Sequence, residues 1–355
     1  VRVITAANGK KAFLRIYKDN HVYPYESQIS TALKTLLQEA PMVGFVTGHK
    51  ERSGMDMGEK GYGTFASNKT FRYSLENSGY GVREISLEHP VAEDINIIVL
   101  ADMRSDFTEE EFRNFDAYLE RGGNLFILGE PKRQQFMNPV IERLGLRFAD
   151  GIIVSPSEVN LDDLVAANIK EGAAKVSENY IRYFRSGYSI MTPSACAVEV
   201  IDSAKGFEIT EVLASAGKGS WVEKETTDFI NEKSVLNPAV GEVEKSNSIM
   251  LYLTRPVNNK EQRIFVIGDA DCISTLELSQ NRPGFRSSNF TLITETFRNL
   301  SYGEFPVEAS RVNPPDDRVL VTRNVIFGIR VVLMWIIPLL FVTGCITLLI
   351  RRKRK

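Results

Sequence analysis

Cysteine is scarce in this chain, with three in 355 residues, and Cys345 falls inside an apolar run. No disulfide framework can organise the fold, although a single Cys196–Cys272 bond stays open at this point. Histidine is equally rare, also three. With no C-x-x-C, no H-E-x-x-H and no Cys/His cluster, the spacings that hold zinc are missing. Nucleotide motifs are missing too. Gly217-Lys218 comes nearest to a phosphate-binding loop, but its first glycine would fall on Val212, and Gly219 stands where a Ser or Thr must meet Mg²⁺. The glycine-rich stretch from Gly48 to Gly63 lacks the G-x-G-x-x-G spacing and reads as a surface loop. No cofactor is expected. Low-complexity tracts and internal repeats are also absent. An excess of positive charge is lacking over most of the chain. The 43 basic side chains, less Arg330 and the five at the C-terminus, leave 37 against 45 acidic ones, a net of −8. That argues against nucleic acid or anionic lipid as a partner for this portion.

The C-terminus carries the strongest positive signal. Val331 to Ile350 is a run of twenty residues without a charge, followed at once by Arg351-Arg352-Lys353-Arg354-Lys355. At about 1.5 Å per helical residue the run matches the roughly 30 Å apolar thickness of a bilayer. A basic cluster after a span marks the side that stays cytoplasmic. The expected anchor is a helix over 325–350, with Val331 and Ile350 bounding its apolar part, Trp335 and Pro338 within it, and Arg351 and Arg352 opening a basic cytoplasmic tail, 351–355. Pro338 is expected to kink the span. Thr343, Gly344 and Thr347 form either a helix-packing face or part of a lipid-facing surface. The chain opens on Val1 with no charged, apolar and small-residue signal. Because so large a body crosses a membrane only with an export signal, a span upstream of Val1 is expected.

The remainder alternates strands with helices. Short β segments and a helix carrying Ile29, Leu33 and Leu36 occupy 1–40. An α/β body follows over 41–303, with a possible inner boundary near 150, and a proline-containing tether over 304–324. Met42–Val46, Val82–Leu87, Ile95–Leu100 and Asn124–Leu128 read as buried strands. A helix is expected from Thr64 to Asn77. Another begins at a Thr108/Glu111 capping box and presents Phe112, Phe115 and Leu119 as one stripe. Near-continuous apolar strands alternating with helices indicate a mostly parallel sheet covered on both faces. Residues 249–253 and 263–268 look like further central strands, and 223–243 like a polar excursion.

Two clusters lie just beyond expected parallel strands, where open α/β sheets place ligands. In Thr47-Gly48-His49-Lys50-Glu51, His49 with Glu51 can act as a base or hold a polar ligand; the alternative is a solvated turn. In Gly268-Asp269-Ala270-Asp271-Cys272, Asp269 and Asp271 can hold a polar ligand or hard cation, or simply cap a helix and bind loop amides. No catalytic residue and no metal site is assigned.

The GHKE segment after the first strand, the helix ending in Tyr118-Leu-Glu-Arg-Gly-Gly-Asn124, Gln262-Arg-Ile-Phe-Val-Ile-Gly-Asp-Ala-Asp271 and the terminal span occur in that order. Together, from about Tyr25 to Lys355, they resemble the GldG-like auxiliary component of ABC-2-type transporters, known from gliding-motility systems of Bacteroidetes. The front half also resembles the glutamine-amidotransferase-like (flavodoxin-like) fold shared with ThuA-like proteins. The turn that carries a nucleophilic cysteine in the enzymes of that superfamily here reads Gly129-Glu130-Pro131, a departure that favours binding over turnover. The resemblance implies a partner ABC permease, a separate ATPase subunit and a place in the bacterial inner membrane, with the body periplasmic and the C-terminus cytoplasmic. The rival expectations are a membrane-anchored hydrolase of an envelope ligand and a purely structural tether.

Overall fold

The computed structural model describes residues 1–18, 22–309 and 323–354. They belong to two units, Val1–Ala309 and Ser310–Lys355. The first opens with the hairpin β1 (Arg2–Thr5) and β2 (Lys11–Leu14), whose Ala12 packs on Ala32 and Leu36 of helix α1 (Glu26–Leu37). There follow β3 (Met42–Val46), the single turn α2 (Gly63–Ala66), β4 (Gly81–Ile85), β5 (Ile95–Ala101), α3 (Glu109–Glu120), β6 (Asn124–Leu128) and α4 (Gln134–Ile141). The second half adds β7 (Leu146–Phe148), β8 (Ile152–Val154), β9 (Leu164–Ile169), α5 (Glu178–Arg185), β10 (Ile190–Pro193), β11 (Val198–Val200), β12 (Glu208–Ala214) and β13 (Trp221–Glu223). It closes with the long pair β14 (Ser248–Val257) and β15 (Lys260–Ile267), then α6 (Thr275–Ser279) and α7 (Asn289–Leu300).

Nine strands form one sheet in the order β10-β9-β12-β14-β15-β6-β5-β3-β4. From β15 to β4 the five strands run parallel. From β15 to β10 each added strand is antiparallel to its neighbour. The sheet is therefore evenly mixed rather than mostly parallel. The cause is local: β14 and β15 are joined by Asn258-Asn259 alone, both with positive φ (49° and 63°). A two-residue turn of that kind makes a hairpin, whereas a parallel return needs a crossover of a dozen residues.

Alternation along the strands gives the sheet two apolar faces. Ile97 and Val99 of β5 belong to the core shared with Leu292, Ile293 and Phe297 of α7 and Tyr180 of α5. Ile98 and Leu100 turn to Phe115 and Leu119 of α3 and Val140 and Ile141 of α4. Each such side chain, fully buried, contributes about 1.5–3 kcal/mol.

The helix expected from Thr64 to Asn77 stops after one turn at Ala66. Beyond it lie turn-forming Ser67, Asn68, Asn77, Ser78 and Gly79. The Asn77 amide donates to the carbonyls of Lys69 (3.1 Å) and Phe71 (2.7 Å), folding the segment back on itself. Side-chain bonding of this kind competes with a helix.

In the second unit a described helix begins at Arg323, and its stretch Val325–Lys353, 29 residues, is long and apolar enough to cross a membrane. It comprises α8 (Arg323–Val331), a π turn over Val332–Ile336, and α9 (Ile337–Lys353). The widened turn lies just before Pro338, which lacks the N–H for an α-helical bond. Thr343 and Thr347 bond their hydroxyls to the carbonyls of Leu339 (2.9 Å) and Thr343 (2.7 Å), so neither hydroxyl is an unmet donor on an apolar surface. Pro314 and Pro315 of the expected tether, and Lys355, lie outside the described residues.

Candidate functional site

The C-terminal ends of β3, β5, β6 and β15 lie side by side, and the loops leaving them meet at Arg52. Its backbone amide donates to the carbonyl of Ala101 (3.0 Å), fixing the loop after β3 against the end of β5. Its guanidinium is almost wholly buried and is spent on three carboxylates. Nε reaches Asp102 (3.3 Å), one Nη reaches Glu130 (3.1 Å), and the other binds Asp271. Asp102, completely buried, also accepts from Arg104 (2.6 Å) and Arg133 (3.1 Å). Lys60 adds a longer contact to Asp271 (3.7 Å). Non-glycine residues with positive φ occur in the loops after three neighbouring strands here: Lys50 (61°), Asp102 (52°) and Lys132 (65°). Such strained positions cost energy and gather where a structure must aim side chains.

Burial governs the ionisation of this cluster. It lifts the Glu130 carboxyl from its ordinary 4.5 to about 7; Arg52 pulls the other way, but Asp271 and Asp102 share that guanidinium and push further up. Burial likewise drives Asp269 well above the carboxylate range, with Asp271 and Glu130 adding to the rise. Asp269 Oδ1 accepts from the amides of Asp271 (2.6 Å) and Cys272 (3.1 Å), while its buried Oδ2 has no partner among the described residues. A proton on that oxygen removes the charge that burial makes costly.

The two aspartates thus take different roles. Asp269 holds its own loop, and Asp271 enters the arginine cluster. His49 is not paired through its ring with Glu51, as their spacing suggested. The Glu51 carboxylate instead accepts from the His49 backbone amide (2.6 Å), and its buried second oxygen has no partner among the described residues. The His49 ring lies between Ser105 Oγ (Nδ1, 2.7 Å) and Glu111 Oε1 (Nε2, 2.8 Å), with the Phe107 ring centred 5.1 Å away. The structure therefore brings Asp271 to Arg52 and keeps His49 in a neighbouring network on α3.

Cys196 and Cys272 are both free and buried. Burial pushes both thiols upward, and each Sγ–H donates to a carbonyl, Gly268 at 3.1 Å and Asp269 at 3.2 Å. Neither has the low pKa or exposure of a reactive cysteine. Among the described residues, no group of three or more His, Cys, Asp and Glu side chains is placed to hold a metal ion. A cleft of 810 Å³ opens at the other end of β3, β5 and β15, beside their N-terminal residues, lined by Met42, Asn96, Lys260 and Tyr302 among others.

Sequence reasoning missed Arg52, Asp102 and Ser105, and read Glu130 only as the place of an absent cysteine. One signal was available. Each lies within a few residues of the C-terminal end of a parallel strand, where polar side chains seldom serve the core.

Fold and site together define an α/β body whose strand ends are locked by a buried ion-pair cluster, in a chain that also carries a 29-residue apolar helix. A family model described as "ABC-type uncharacterized transport system" matches residues 40–300, and the chain belongs to that family of transport auxiliaries. No curated protein matches it. Among solved structures, the mmIFT52 N-terminal domain aligns with 76% of this chain and 100% of its own, at 14% identity and a TM-score of 0.48. A ThuA-like protein from Parabacteroides merdae aligns over 70% of this chain and 95% of its own, at 12% identity and a TM-score of 0.36. The exo-beta-1,4-mannosidase Op5Man5 from Opitutaceae bacterium strain TAV5 covers 77% of this chain and 37% of its own, at 13% identity and a TM-score of 0.34. All three likenesses are distant.

Proposed function

We propose that this protein is a membrane-anchored auxiliary subunit of an ABC-2-type transporter, or of a motility-related export complex, whose body recognises and assembles partners outside the cytoplasm. The family match over residues 40–300 carries the reading. The described helix Val325–Lys353, with basic residues in its last turn, supports an inner-membrane anchor whose C-terminus is cytoplasmic and whose body is periplasmic. Transport work is then driven by a separate ATPase subunit acting on a separate permease, a reading that the match to an ABC-type transport family supports.

The state of the Arg52 cluster favours assembly over turnover at that centre. Its acids and bases saturate one another, which suits a rigid face presented to a partner better than groups held ready for substrate. The test is extraction in mild detergent from cells that express the neighbouring genes. Recovery with a permease and a Walker-A ATPase is expected. A chain that consistently emerges alone, with its fold intact, would sink the reading.

A further inference from the structure

We propose that Ser105, His49 and Glu111 form a nucleophilic centre able to transfer acyl groups from carboxylic esters, a chemistry that goes beyond the auxiliary role and does not depend on it. The argument starts from Glu111. Its side chain is only 5% exposed. Burial alone would raise its pKa, but hydrogen bonds from His49 and Thr108 outweigh that and hold it below the usual value. The Glu111 carboxylate accepts, and in the neutral tautomer that pairs with it the facing nitrogen, His49 Nε2 at 2.8 Å, carries the ring proton. The other nitrogen, Nδ1, then presents a lone pair to Ser105 Oγ at 2.7 Å, so the hydroxyl donates to the ring. A hydroxyl that donates to a neutral imidazole, itself oriented by a buried carboxylate, has the roles of a serine–histidine–acid triad. Here the ring is used in the opposite sense, acid on Nε2 and serine on Nδ1.

Each member is positioned by rigid structure. Glu111 is locked by the capping box of α3, its other oxygen accepting from the Thr108 amide (2.7 Å) and hydroxyl (2.9 Å). His49 is tied to the loop after β5 by the Arg104 amide, which donates to its carbonyl (2.9 Å), and Phe107 flanks the ring. Ser105 is exposed at the C-terminal edge of the sheet, where a substrate can reach it.

In the reaction, Ser105 Oγ attacks the ester carbonyl carbon and its proton passes to His49 Nδ1. Glu111 faces the imidazolium so formed. The tetrahedral intermediate collapses as the alkoxide leaves with the proton from Nδ1. Water then gives a proton to Nδ1 and attacks the acyl-serine, and the second tetrahedral intermediate collapses as Ser105 Oγ leaves and takes that proton back from Nδ1, releasing the carboxylic acid and restoring the serine hydroxyl and the neutral ring.

The test uses the full chain in detergent with a fluorophosphonate probe, mapping the adduct by mass spectrometry, alongside hydrolysis of p-nitrophenyl acetate. An adduct on Ser105 is expected, with hydrolysis lost in Ser105→Ala. Glu111→Gln is the discriminating variant, because glutamine keeps the capping box and the fold yet removes the charge facing the ring. It should slow labelling roughly 100-fold or more. If the triad is merely a staple between loop and helix, Ser105 stays unmodified, or reacts at the same rate in Glu111→Gln, and either result overturns the proposal. The transporter reading stands or falls separately, on co-purification.

Discussion

Arg52 and Asp102 meet at 3.3 Å, both buried, across the ends of two adjacent parallel strands, β3 and β5. The contact is doubled by the backbone, since the Arg52 amide bonds the carbonyl of Ala101, the residue before Asp102. One carboxylate thereby organises three arginines drawn from the loops after β3, β5 and β6.

Removing that carboxylate leaves three guanidinium groups short of a partner. Asp102→Asn keeps the shape and removes the charge, and should cost about 3–5 kcal/mol, the usual penalty for breaking a buried ion pair. Denaturant unfolding of the variant against the parent measures it. A loss under about 1 kcal/mol, the scale of an exposed pair, would show that the cluster is not structural.

Glu130 makes stability depend on pH with an unusual sign. Its folded pKa is raised, by burial first, to about 7 from 4.5, so the folded state binds its proton more tightly than the unfolded chain. The stability this contributes is fully present below about pH 4.5 and is lost as pH rises toward 7. Glu130→Gln holds a neutral side chain throughout. Between pH 5 and pH 7 the parent should lose stability relative to this variant; an unchanged or opposite difference in unfolding midpoints would refute the assignment.

Gly268 tests how tightly β15 abuts the loop before β11. A Cβ there would meet the backbone oxygen of Cys196 at 1.8 Å, and the same two residues share a hydrogen bond of 2.8 Å from Cys196 N to the Gly268 carbonyl. Backbone cannot yield as a side-chain tip can. Gly268→Ala should destabilise by about 1–3 kcal/mol or more, read as a lowered melting temperature.

Topology can be checked directly. With protease added outside intact spheroplasts, the body should be digested, while an epitope placed after Lys355 stays protected. Digestion of the tail with protection of the body would reverse the proposed orientation.

The parallel half was legible segment by segment, because strands buried on both faces must be largely apolar, and 42–46, 95–100 and 124–128 are, apart from Asn96 and Asn124. The Thr108/Glu111 box was equally plain, since its signal is local. The antiparallel half was less so. Apolar runs at 249–253 and 263–268 look the same in either direction, and only the two-residue turn at Asn258-Asn259 reverses the chain. The site was legible as a place but not as a set of partners. Strand ends announce where polar loops gather, yet Arg52 is 219 residues from Asp271, and no local pattern tells a guanidinium which carboxylate it will face.

What the sequence determined by itself was whatever depends on neighbours along the chain: a span long enough for a bilayer, a helix cap, strands whose composition demands burial. What tertiary structure alone decided was which charges share a low-dielectric space. Ionisation follows from that sharing. It is why Asp269, Asp271 and Glu130, alike in sequence as carboxylates after strands, end as a loop clamp whose pKa burial raises, an arginine partner and an acid titrating near pH 7.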